Sequence, residues 1–281
     1  MEFHTRDGLV LRGEAFGPAH APPALLLHGG GQTHHAWKGS AEILAAAGWR
    51  AIAVDLRGHG DSDWAPDGDY RFDRYADDLL DMTGALAAPP VVVGASLGGM
   101  SILMAAARAA SFPFAACVFV DITPRVRPEG VAEILGFMSS ALEEGFESVE
   151  AAADAVARYL PHRPRPVETK GLEKNLRRGL DGRYRWHWDP KFVTGRLRIH
   201  GSADEEARIR AARCLTGPTL LVRGRLSNLV TEEDSAHFLS LVPGSRMVDV
   251  SGAGHMVAGD RNDVFTSAIL DFLEEVRAGA A

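Results

Sequence analysis

Ser96, His255 and a hydrogen-bonding partner for the histidine carry the chemistry that this 281-residue chain offers, and that chemistry is acyl transfer. Ser96 lies in Gly94-Ala95-Ser96-Leu97-Gly98-Gly99, directly after the apolar run Pro90-Val91-Val92-Val93. A Gly-x-Ser-x-Gly turn between a strand and a helix lifts a hydroxyl above the sheet edge on a strained backbone. A Cβ at Gly94 or Gly98 would collide with the neighbouring strand or helix. Upstream, Leu25-Leu26-Leu27 runs into His28-Gly29-Gly30-Gly31. Glycines there let a backbone N–H face a developing oxyanion, so Gly30 and Leu97 are the expected donors. Gly252-Ala253-Gly254-His255 supplies a histidine on a small-residue loop, suited to act as general base for Ser96.

These groups need elements to hold them. Strand patterns cover Ala24–Leu27, Arg50–Val54, Val91–Val93, Ala115–Val120, Thr219–Arg223 and Met247–Val250, with a first strand near Leu9. Helical patterns alternate with them over Ala36–Ala46, Arg74–Ala87, Leu97–Arg108, Glu232–Leu241 and Asn262–Val276. Such alternation predicts a mostly parallel sheet covered by helices on both faces. Between Pro124 and Cys214 the composition changes: Glu/Ala/Leu helical pieces are broken by prolines at 161, 164 and 166, and tryptophans and basic residues cluster over Arg183–Pro190.

On these motifs the chain resembles an α/β-hydrolase of the lid-bearing kind, near the esterase, epoxide-hydrolase and dehalogenase relatives. The resemblance covers nearly the whole chain. It implies an α/β-hydrolase fold with a core of residues 1–124 and 214–281 and an inserted helical cap over 125–213. The cap would cover the serine and shape the pocket. His34, Trp37 and Trp188 are the expected pocket-lining residues, Trp186 and Trp188 having cap packing as their alternative use. The serine at the elbow disfavours epoxide-hydrolase or dehalogenase chemistry, because those relatives place an aspartate there.

The third triad member is the irregular one. The resemblance places an acid after the strand that follows the cap, where the chain reads Arg223-Gly224-Arg225-Leu226-Ser227-Asn228. Asn228 therefore stands at the acid position. An amide can accept from an imidazole, yet it carries no charge to stabilise the imidazolium. Three explanations stand: Asp121, at the end of the strand Ala116–Val120, is the alternative acid; Asn228 is an engineered change; or the chain is naturally attenuated. Asp121 has a plainer use, capping the loop that follows it. The Asn228 reading predicts that Asn228→Asp raises turnover. His28 and His59 are expected to hold loops, and Asp55 and Asp61 to order them.

Composition restricts the remainder. A net charge of −7 argues against a polyanionic partner such as nucleic acid. No apolar stretch approaches a membrane span, and the first residues carry no secretory pattern. Cys117 and Cys214 read as reduced thiols, which fits a cytoplasmic protein. His187, His200 and Asp204 have no metal-ligand spacing, so neither metal nor cofactor is expected. The expected activity is hydrolysis of a small carboxylic ester, thioester or lactone through an acyl-enzyme on Ser96. The alternatives are a weak or inactive ligand-binding relative, or C–C hydrolysis or perhydrolysis on the same framework.

Overall fold

The computed structural model describes residues 1–160, 169–199, 204–255 and 262–279. The prolines at 161, 164 and 166 and His200 lie outside them. Among the described residues ten strands form, in chain order β1 (Glu2–His4), β2 (Val10–Phe16), β3 (Pro23–Leu27), β4 (Arg50–Val54), β5 (Val91–Ala95), β6 (Ala116–Val120), β7 (Leu176–Arg178), β8 (Tyr184–Trp186), β9 (Thr219–Gly224) and β10 (Arg246–Val250). Eight of them make one sheet, ordered β1-β2-β4-β3-β5-β6-β9-β10. From β4 onward every pairing is parallel, whereas β1-β2 and β2-β4 are antiparallel. Strands β3 and β6 are buried at every residue, as a sheet covered on both faces requires. That is why they read as unbroken apolar runs in the sequence.

The helices are α1 (Lys38–Ala46), α2 (Phe72–Gly84), α3 (Leu97–Arg108), α4 (Pro128–Ser139), α5 (Val149–Tyr159), α6 (Lys170–Glu173), α7 (Lys191–Thr194), α8 (Glu205–Ala212), α9 (Glu232–Leu241) and α10 (Asn262–Gly279). One face of the sheet packs on α2 and α3 through a core containing Leu25, Ile52, Leu79 and Phe119. The other packs on α1 and α10 through Leu26, Ala53, Val118 and Phe265. The helix expected from Ala36 begins instead as a 3-10 turn, His34–Trp37, and becomes α-helical at Lys38.

The segment between β6 and β9 carries α4 to α8 and the hairpin β7-β8, so it is not wholly helical. Val131, Ile134 and Met138 of α4 and Phe192 of α7 line a cavity with Ser96, so this part stands over the strand ends. Helix α8 does not. It packs on α3 and α9, and the Arg208 guanidinium donates to the Pro124 carbonyl at 2.7 Å. The expected cap of residues 125–213 would include α8, whose contacts are with α3 and α9. The stretch 187–190 ties this segment to the loops after β4: the Tyr70 hydroxyl donates to buried Asp189 at 2.7 Å, and His187 Nδ1 accepts the Gly60 N–H at 2.7 Å.

Candidate active site

Strand β5 ends at Ala95 and α3 starts at Leu97, which leaves Ser96 alone to turn the chain. It does so at φ 46° and ψ −105°, a left-handed conformation that costs a non-glycine residue about 1–3 kcal/mol. The turn is tight because the glycines around it have no space. A Cβ on Gly94 would lie 2.4 Å from the Gly98 carbonyl carbon, and one on Gly98 would lie 2.4 Å from the Leu27 oxygen. One on Gly99 would meet the Ile122 side chain at 2.2 Å. Leu97 is the first residue of α3, where backbone N–H groups have no partner within the helix.

The glycine loop after β3 is held from three sides. Gln32 accepts the Gly29 N–H at 2.9 Å, and His59 Nε2 accepts the Gly31 N–H at 3.1 Å. His28 donates from Nδ1 to the Gly29 carbonyl at 2.8 Å and accepts the Leu56 N–H on Nε2 at 2.9 Å. His28 and His59 thus hold loops, as their positions beside glycines suggest. Burial pushes the pKa of both imidazoles below the ordinary histidine range. His187 follows them, pushed down to about 3 by burial and then by the nearby His28. All three serve as neutral hydrogen-bonding groups.

Asp121 follows β6 with φ 49° and is fully buried. Its Oδ1 accepts the Gly224 N–H at 3.0 Å. Its Oδ2 accepts the Ser227 hydroxyl at 2.5 Å and His255 Nδ1–H at 2.7 Å. A buried carboxylate is tolerable when its lone pairs are filled in this way. His255, with its side chain 13% exposed, lines the same cavity as Ser96. With Nδ1 committed to Asp121, its free lone pair is on Nε2.

Asn228 does not meet His255, contrary to the expectation. It is exposed, and its amide donates to Glu133 of α4 at 2.5 Å. The cause lies one residue earlier. Ser227 Oγ accepts the N–H groups of Leu229 and Val230 at 3.1 and 3.2 Å while donating to Asp121. That turn pins Ser227 inward and sends Asn228 out.

Two cavities meet at Ser96. One, of about 70 Å³, is almost wholly apolar and lies between α4, Met100, Ile122 and Phe192, with Gly30 and Leu97 in its wall. The other, about 380 Å³, runs past His255 to Trp37, Tyr159, Asn175 and Trp188. Trp188 and Trp37 thus reach the cavity wall, although both are nearly fully buried. Trp188 stacks on Trp186 with centroids 5.0 Å apart, so packing and lining are served together. His34 does not line either cavity. Its ring is turned to Asp55, and His35 takes the place in the wall expected of it. Tyr159, Asn175 and Met138 were not singled out in the sequence. Nothing in their spacing marks them, since they come together only when the segment between β6 and β9 folds back over Ser96.

Comparison with known proteins gives the family of the chain. A sequence model of the alpha/beta hydrolase fold family matches residues 22–261. The chain is 33% identical over 247 residues to esterase Rv0045c of Mycobacterium tuberculosis, covering 86% of this chain and 79% of that protein. It is 30% identical over 224 residues to the 2-(acetamidomethylene)succinate hydrolase of Mesorhizobium japonicum, covering 79% of this chain and 78% of that one. A solved E-2-(acetamidomethylene)succinate hydrolase superposes with a TM-score of 0.82 at 26% identity, covering 98% of both chains.

Proposed function

Since the chain belongs to the α/β-hydrolase fold family and is a hydrolase, we propose that it cleaves a small carboxylic ester through an acyl-enzyme on Ser96. The contact that carries this reading is His255 Nδ1–H to Asp121 Oδ2 at 2.7 Å, beside a cavity that Ser96 shares. Ser96 Oγ attacks the carbonyl carbon as its proton passes to His255 Nε2. The imidazolium so formed is stabilised by the Asp121 carboxylate. Backbone N–H groups of Gly30 and Leu97 take the oxyanion. His255 then returns the proton to the leaving alcohol, and a water, deprotonated by the same imidazole, releases the acid.

Asp121 replaces Asn228 in the acid role, which removes the reason to read the chain as attenuated, engineered or non-catalytic. The small apolar cavity suits a short aliphatic acyl group, and the larger one suits the alcohol. A panel of p-nitrophenyl esters of graded chain length tests this: turnover is expected to peak at short acyl chains and fall steeply with length. Ser96→Ala is expected to abolish hydrolysis and fluorophosphonate labelling with the melting temperature nearly unchanged, because the hydroxyl contributes little packing. Hydrolysis that persists in Ser96→Ala rejects the assignment.

A further inference from the structure

A second group of donor atoms lies where β2 meets the turn that follows the glycine loop, and the hydrolysis proposed above does not use it. Ligand atoms of Glu14, His34 and His35 lie within 4.8 Å of one another. Glu14 projects from β2, and the histidines open the 3-10 turn that follows the glycine loop. Strand pairing makes them neighbours: Glu14 sits opposite Ala53 of β4, which also flanks β3. The two imidazoles pack with centroids 4.0 Å apart and planes inclined at 46°.

The buried carboxylate behind His34 is an independent observation that points to a ligand. Asp55, 1% exposed, accepts His34 Nδ1–H at 2.9 Å and the His34 backbone N–H at 2.7 Å. That bond fixes the tautomer, aims the ring and leaves the Nε2 lone pair available. A carboxylate bonded to one imidazole nitrogen is the usual way of orienting a histidine that ligates metal through the other. A cavity of about 90 Å³ beside the two histidines, bordered by Asp61 and Lys174, leaves room for coordinated water.

We propose that Glu14, His34 and His35 form a binding site for a divalent transition ion of the Zn²⁺ class. Two imidazoles and one carboxylate suit Zn²⁺, Ni²⁺ or Cu²⁺, whereas Mg²⁺ and Ca²⁺ prefer all-oxygen sets. Ligand atoms around tetrahedral zinc stand about 3.4 Å apart, since each bond is about 2.0–2.1 Å long. The exposed Glu14 side chain closes the remaining gap by rotation. Water completes the shell. His35 also lines the larger cavity at Ser96, so an ion here ties that wall to β2.

The test is a Zn²⁺ titration of untagged protein in competition with a chromophoric chelator, which reads binding directly and does not depend on esterase activity. One equivalent is expected to bind more tightly than about 100 µM. Glu14→Gln and His35→Gln are each expected to weaken it at least about tenfold, with unchanged circular dichroism. His255→Ala is expected to bind as the parent does. Glu14→Gln alters only an exposed side chain, so its result stands even if His35→Gln folds poorly. Parent-like affinity in either variant overturns the three-ligand assignment. So does loss of binding in His255→Ala, or no binding by the parent at that concentration.

Discussion

At the scale of single residues, the site turns on which side chain holds His255. Asp121 is bonded to it and also accepts from Gly224 and Ser227. Asp121→Asn is therefore expected to lower kcat by about 10³–10⁴, because an amide can hold the unproductive tautomer and lends no charge to the imidazolium. Asn228→Asp places a second carboxylate beside Glu133 in water. Its effect on kcat is expected to stay within about twofold, as for surface changes worth about 0.5 kcal/mol or less. Steady-state kinetics on one p-nitrophenyl ester decides both. A tenfold gain from Asn228→Asp would place that position against the imidazole after all.

At the scale of elements, the elbow between β5 and α3 works only while its glycines let three backbones touch. Gly98→Ala pushes a Cβ to 2.4 Å from the Leu27 oxygen, so α3 must move away from β3. Overpacking of this kind costs about 1–3 kcal/mol. The melting temperature is expected to fall by several degrees, and labelling of Ser96 should slow, since Leu97 shifts with the helix. A calorimetric scan paired with a labelling time course checks the two effects together. The loop after β4 depends in the same way on a side chain from the segment between β6 and β9. His187 reaches Gly60, which packs against Asp55 so closely that a Cβ there would lie 2.1 Å from the carboxylate.

At the scale of the whole molecule, burying three neutral histidines makes stability depend on pH. His28, His59 and His187 all titrate below the ordinary value of about 6.5 in the folded chain, His187 near 3. As pH falls below about 6.5 the unfolded chain takes up protons that the folded chain refuses, so stability is lost from there down toward pH 3. His187 contributes about 1.4 kcal/mol per pH unit across that window, and His28 and His59 add in the same direction. His34 has the opposite sign: its hydrogen bond to Asp55 raises its pKa, so its contribution is complete below about pH 6.5 and is lost as pH rises through the folded value. Urea midpoints measured from pH 7 to pH 5 are expected to fall, and His187→Asn to flatten the slope. An unchanged slope in that variant would mean that His187 titrates freely.

Legible along the chain were the alternating α/β order, the elbow at Ser96, the glycine loop and the small-residue loop that carries His255. These are local properties: a buried parallel strand is an unbroken apolar run, and a crowded turn demands glycine at set positions. Along the chain nothing marks Asp121 over Asn228 as the partner of His255, because 134 residues separate Asp121 from the histidine. The register of β6 against β9 and the inward turn at Ser227 made that choice. The packing of α8 was likewise illegible, since it is helical wherever it packs, and only the tertiary structure sets it against α3 and α9. Glu14 met His34 and His35 for the same reason. Their proximity is a property of strand order, which short-range patterning does not encode.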